Sequence, residues 1–210
     1  MNFPNSYDQT TTIVPAEKIG DIGTQDAQRL LDQGYEVHYG LTADFADDIA
    51  KLAVEPAIKE YCPNDSGRRF GDRETTAKWL QKGRGTFLLL KRKEDGALKL
   101  VGYGWVGAGT NSHAPGGEAT FAIRIGEAGQ GQGLATPFAR LIVFGAAVVY
   151  EAKNLWLETW QSNAGAVHVY HKIGFVDVAE EESERTSGNG EKVADTRLFM
   201  TLPNDLLPKS

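Results

Sequence analysis

The sequence predicts an α/β fold of the α+β type, with a mixed, mostly antiparallel sheet and helices on both faces. Three observations carry that expectation. Strand-like and helix-like segments follow in the order β-α-α-β-β-β-α-β-α-β-β. Asp95-Gly96 sits between two apolar runs, a turn that joins antiparallel strands. Glu118 to Trp160 reads strand–helix–strand, and such a crossover makes its two strands parallel.

Residues 1–34 read as an N-terminal extension. A polar lead without a clear period comes first. A short helix follows, capped by Thr24, carrying Ala27, Leu30 and Leu31, and stopped by Gly34. The main domain is expected over 35–204, with a tail at 205–210. Tyr35 to Tyr39 is its first strand. Thr42 caps a helix with Phe45, Ile49, Leu52 and Ala53 on one stripe, and Pro56 kinks or ends it. Asp72 starts a second helix, through Trp79 and Leu80, and Gly83 ends it. Thr86 to Arg92 and Leu98 to Gly107 are the hairpin strands, and Glu118 to Ile125 is the fourth strand. Gly133 to Ala152 is a long helix, Asn154 to Trp160 the fifth strand, and Ser162 to Lys172 a short helix. A last hairpin runs from Phe175 to about Ser183 and from Val193 to Leu202, with Ser187-Gly188-Asn189-Gly190 near its tip.

The 210 residues, 41% of them hydrophobic, suffice for one sizeable core. A formal charge of −6 argues against a nucleic-acid binder and mildly favours a cationic acceptor. Cys62, the single cysteine, excludes an intrachain disulfide and a Cys-rich zinc site, so no metal is expected. With no basic cluster beside it in sequence, Cys62 reads as a small, semi-buried side chain. Met1 to Thr12 lacks the charge and apolar core of a signal peptide. The longest apolar run, Leu141 to Tyr150, is about half a membrane span. No membrane partner and a cytoplasmic residence are therefore expected, and a monomer and a homodimer both remain open.

Gln130-Gly131-Gln132-Gly133-Leu134-Ala135 lies between a strand and a helix. The first turn of a helix has free N–H groups and a partial positive charge, and glycines let an anion approach. The segment therefore suits a pyrophosphate. A P-loop would need Gly-Lys-Ser/Thr where Leu134-Ala135 stands. The G-x-G-x-x-G fingerprint also fails, at Leu134 or at Thr136. Pro137 is tolerated in the first turn. Further on, Asn163 and Tyr170 are seven residues apart and share a helix face, with the small Ala166 between them. Gly174 can supply a left-handed cap before Phe175.

Gln130-x-x-Gly133-x-Ala135 followed by Asn163-x-x-Ala166-x-x-x-Tyr170-x-Lys172-x-Gly174-Phe175 resembles the GNAT (GCN5-related N-acetyltransferase) family. The resemblance runs from about Tyr35 to Leu202, and Asp195 to Leu202 looks like the family's last strand. It implies a GNAT-type sheet whose parallel fourth and fifth strands splay apart. It implies acetyl-CoA as co-substrate and an amine, small or on a protein, as acceptor. The amides of Gln130, Gly131, Gln132, Gly133, Leu134 and Ala135 would hold the pyrophosphate. The pantetheine arm would pair with Ala122, Ile123, Arg124 and Ile125, with Ala166 leaving it room and Asn163 bonding to it. Tyr170 would protonate the leaving thiolate.

From reference values near 8.5 for a thiol and 10 for tyrosine, that proton transfer is uphill by about 2 kcal/mol. Deprotonating a lysine-like acceptor at pH 7 costs about 4–5 kcal/mol, against about 1–1.4 for an α-amine, so a base matters most for the former. The resemblance makes Glu118 the first candidate for that base, since it opens the fourth strand where some members of the family place a glutamate base, and Glu158 on the fifth is the second. His113, His168 and His171 are weaker ones, and His38 reads as an ordinary strand residue. Glu180, Glu181, Glu182 and Glu184 in the final hairpin could attract a cation, whereas Arg68 and Arg69 mark a loop of opposite charge, so the acceptor stays open. The alternatives are a non-catalytic acyl-CoA-binding regulatory module, against which Asn163 and Tyr170 speak, and a scaffold domain that binds no CoA.

Overall fold

A computed structural model describes residues 12–13, 21–40, 43–80 and 83–207. Thr42 and most of the lead before Asp21 lie outside these, as does the end of the tail. The elements are β1 (Thr12–Ile13), α1 (Asp21–Asp32), β2 (Tyr35–Tyr39), α2 (Ala43–Ala53), α3 (Pro56–Tyr61), α4 (Arg73–Leu80), β3 (Arg84–Arg92), β4 (Leu98–Ala108), β5 (Ala119–Ile125), α5 (Ala135–Tyr150), β6 (Leu155–Trp160), α6 (Ala164–Lys172), β7 (Val176–Thr186) and β8 (Lys192–Thr201). A single π-helical turn, Asp65–Arg69, joins α3 to α4.

The eight strands form one sheet in the order β1-β2-β3-β4-β5-β6-β8-β7. Every pair is antiparallel except β5 with β6, as the crossover requires. The expected fourth and fifth strands are β5 and β6, because Thr12–Ile13 adds a strand ahead of them.

Strand alternation divides the core. Phe87 and Leu89 of β3 point to a cluster with α1, α5 and α6, while Leu88 and Leu90 point to one with α2 and α4. All four are fully buried, worth about 1.5–3 kcal/mol each. The second cluster holds the aromatic group Phe70, Trp79, Tyr103 and Trp105, whose rings meet mostly edge to face.

Local signals act as expected at several places. Asp72 Oδ1 accepts from the Thr75 amide at 2.8 Å and so caps α4. Gly96 has φ 81°, and Ala97 donates to Asp95 Oδ1 in the same turn. Pro56 ends nothing itself: α2 stops at Ala53 and Pro56 opens α3, where a missing N–H costs little. Two details differ. The lead helix starts at Asp21, so Thr24 lies inside it rather than capping it. Leu31 is 51% exposed, since only Leu30 faces α5. Among the described residues no helix is long and apolar enough to cross a membrane.

Candidate active site

β5 and β6 pair only at Ala119–Leu155 and Thr120–Trp156, then diverge. From Phe121 onward the facing edges form an open fork. A cleft of about 1040 Å³ runs through it. Leu134, Ala135, Val169 and Tyr170 line it from the α5–α6 side, and Trp79, Arg84 and Trp105 from the α4 side. The cleft is thus lined from both faces of the sheet.

The glycine-rich turn lies at the mouth. Gly131 and Gly133 have φ of 71° and 73°, the left-handed conformation that side chains resist. α5 begins with no side-chain cap, and the amides of Gly131 to Thr136 make no hydrogen bond within the protein among the described residues. A run of free donors at a helix start suits an anion. Gln130 Nε2 holds the Ile125 carbonyl at 3.0 Å, which ties the turn to the end of β5. The Gln132 side chain turns away to Tyr35 and the Ala128 carbonyl, and it does not line the cleft. Its backbone is what the turn offers. Arg29 of α1 approaches Gly133 from outside.

Asn163 caps α6, its Oδ1 accepting from the Ala166 amide at 3.3 Å, and it also lines the cleft. Gly174, at φ 104°, turns the chain so that Phe175 returns to the core beside Tyr170. The Tyr170 ring packs edge-on against Phe121. Its hydroxyl takes no hydrogen bond from the protein among the described residues. Burial pushes its pKa up to about 12, and the Arg124 charge pulls back only partly.

Arg124 belongs to a buried charge cluster. Its Nε donates to Asp65 Oδ2 at 2.9 Å, and its Nη1 to the Ile123 carbonyl at 2.8 Å. Asp65, fully buried, also accepts from Arg69 at 2.8 Å and from the Tyr103 hydroxyl at 3.1 Å. Both arginines stack on Trp105, at 5.3 and 5.0 Å. Burial alone would lower the Arg124 pKa, but the groups around it, Asp65 first and then Cys62 and Tyr103, together outweigh burial and hold it above its ordinary value. Cys62 lies here too, so the fold supplies the basic neighbours its sequence context lacks. Burial still dominates and pushes its thiol pKa up.

A sequence model of the acetyltransferase (GNAT) domain matches residues 39–176, well over half of the chain. The chain belongs to the GNAT acetyltransferase family. No curated protein matches its sequence. Solved structures share the fold at low identity. A ribosomal-protein-S5-alanine acetyltransferase from Vibrio fischeri is 15% identical with a TM-score of 0.64, covering 84% of this chain and 96% of its own. yncA from Salmonella typhimurium, solved with its cofactor acetyl-CoA, is 18% identical at 0.62, covering 82% and 95%. A spermidine N-acetyltransferase from Vibrio cholerae, in complex with CoA and spermine, is 16% identical at 0.61, covering 83% and 99%.

Within this GNAT domain the remaining candidates separate. Glu118 is exposed, one residue before β5 at the closed end of the fork, and does not line the cleft. It stands apart from the cleft lining, whereas the second candidate does not. Glu158 does line the cleft, with Arg197 Nη1 3.7 Å from its carboxylate. His168 lines the cleft from α6, whereas His171 faces Asp177 and His38 pairs with Glu36 elsewhere. His113 stacks on Phe199, outside the lining. Of the two loop arginines only Arg69 reaches the cleft. Glu180, Glu181 and Glu182 are exposed along β7 and stay outside it, whereas Glu184 lines it.

Sequence reasoning missed Asp65, Arg84 and the bridge over the acceptor side. In that bridge Arg185 of β7 donates to Glu60 Oε1 of α3 at 2.5 Å and to Asp195 Oδ2 of β8 at 2.8 Å. Asp195 also accepts from Ser162, and Glu60 accepts from the Gly188 amide at 2.7 Å. Strand alternation could have put Arg124 on the face of Ala122, but no local signal marks its partner.

Proposed function

We propose that this chain moves the acetyl group of acetyl-CoA to a primary amine by direct attack in a ternary complex. The observation that carries this is the fork itself: free amides at its mouth, an unpaired strand edge along one side, and the Tyr170 phenol on its wall. The Gly131–Thr136 amides hold the pyrophosphate, and the β5 edge from Ala122 to Ile125 takes the pantetheine. The Asn163 Nδ2, free of the capping bond that Oδ1 makes, is the donor left for that arm.

The amine enters from the α3–α4 side. Its nitrogen attacks the thioester carbon, the C–S bond breaks, and the electron pair leaves on sulfur. We assign the amine's proton to Glu158, a carboxylate of β6 that lines the cleft. Tyr170, with its pKa near 12, stays protonated across the working range and serves chiefly as a hydrogen-bond donor to the departing sulfur. Full proton transfer from it would cost about 5 kcal/mol against a thiol of pKa near 8.5, more than reference values suggest.

Thermal unfolding with acetyl-CoA tests the cofactor half. At 100 times Kd a ligand stabilises by about 2.7 kcal/mol, or roughly 5–10 °C at this size. Thiol release across an amine panel tests the transfer half. A shift without thiol release from any amine would leave a binding module, and no shift at all would remove the cofactor reading.

A further inference from the structure

The acceptor side of the cleft is built from arginine and tryptophan. Arg69, Arg84, Arg124, Arg185 and Arg197 line it, against Glu60, Glu158 and Glu184. Most of these arginines have a carboxylate of their own. Arg185 has Glu60 and Asp195, Arg197 faces Glu158, and Arg124 has Asp65. Arg69 shares that same Asp65. Arg84 has none among the described residues. It lies across Gly107, where a Cβ would overlap the guanidinium, with its charge 5.6 Å from the Trp79 ring centre. Among the described residues its side chain makes one hydrogen bond, a long 3.4 Å contact to the Ala108 carbonyl, and its Nε is buried without a partner. Burial and then the nearby Arg69 charge both pull its pKa down, as expected where two cations lack an anion between them. In register, Arg84, Gly107, Thr120 and Trp156 form one row across the sheet, ending where the fork closes.

We propose that the acceptor is a small amine carrying a carboxylate, which Arg84 and Arg69 bind over Trp79 while the amine reaches into the fork. This rests on the acetyl-transfer reading above. A guanidinium fork matches a carboxylate in two parallel bonds, and a dry aromatic floor strengthens them. The bridge from α3 to the β7–β8 hairpin spans the acceptor side and favours a small molecule over a chain. Polyamines fit less well, because added cations meet the lining arginines, and of the lining glutamates Glu60 and Glu158 already face an arginine, leaving Glu184.

The test is thiol release from acetyl-CoA with α- and ω-amino acids, each paired with its carboxamide, beside plain alkylamines and short acidic peptides. Removing the carboxylate lowers the amine's pKa, so chemistry alone favours the carboxamide. The proposal expects the free acid to have the higher kcat/KM by about tenfold or more. Arg84→Gln should collapse that ratio toward one, chiefly through KM, with Arg84→Lys in between. A thermal shift with acetyl-CoA shows that each variant has folded. Carboxamides, alkylamines or acidic peptides outperforming the free acids, or a ratio unmoved by Arg84→Gln, would overturn the carboxylate site alone. Silence in every arm would overturn the transfer reading with it.

Discussion

The two walls of the fork are made of different materials. The cofactor wall is backbone: free amides at the start of α5 and the open edge of β5, shaped by two left-handed glycines. The acceptor wall is side chains: Arg69, Arg84, Trp79, Trp105 and Glu158, brought together from separate segments. A backbone wall needs few particular residues and little charge balancing, since its donors are partial charges fixed by the helix. A side-chain wall carries full charges out of water, and each demands a partner. On the proposed function, the first wall can be inherited across acceptors and the second is where an acceptor is chosen.

The sharpest way to break this contrast is to remove the acceptor wall's central anion. Asp65 is fully buried, and both Arg69 and Arg124 depend on it. Asp65→Asn keeps the shape and leaves two guanidiniums facing each other without a counter-charge. A loss of about 3–5 kcal/mol in denaturant unfolding is expected, as for other broken buried pairs. A loss below about 1 kcal/mol would mean that water reaches the cluster, and the acceptor wall would then be no more charge-bound than an exposed surface.

Tyr170 tests the cofactor wall. Tyr170→Phe should lower kcat about a hundredfold while acetyl-CoA still shifts the melting temperature, because the backbone donors are untouched. The pH profile adds a sign. The phenol's pKa lies above its ordinary value near 10, at about 12, so it keeps its proton where an exposed tyrosine would lose one. No loss of kcat should then appear near pH 10 from this group. A wild-type decline centred there, absent from Tyr170→Phe, would show the phenol open to water rather than enclosed.

The same division explains what could be read from the sequence. The glycine turn, the parallel crossover and the Asn163–Tyr170 face were legible because each depends on local spacing: left-handed φ, helical period, strand and connection. Where Glu118 stands relative to the fork was not legible, because the closed end and the open end belong to one strand and spacing does not say where β5 and β6 part. Asp65 and Arg124 lie 59 residues apart, and they meet only because a π turn lays Asp65 over the middle of the sheet. Nothing local marks Arg84 as the lining arginine without a carboxylate among the described residues either. That depends on Gly107 of the neighbouring strand leaving the guanidinium room to lie flat.

The smallest expected effect concerns the bridge that roofs the acceptor wall. The Gly188 amide and then Arg185 hold Glu60 below its ordinary carboxylate pKa, and Asp195 is likewise lowered, with burial opposed by bonds from Ser162 and Arg185. A depressed carboxylate pKa contributes stability above its unfolded value, and that contribution fades as pH falls through the folded value. Glu60→Gln should therefore cost about 0.5–1 kcal/mol near pH 7, since Glu60 is partly exposed and screened. The gap between wild type and variant should close in acid, below the ordinary glutamate range. Amide exchange at the hairpin tip should quicken in the variant while the α5 amides stay unchanged. If α5 loosened equally, the two walls would be one cooperative unit, and the acceptor side would not be free to vary under a fixed cofactor side.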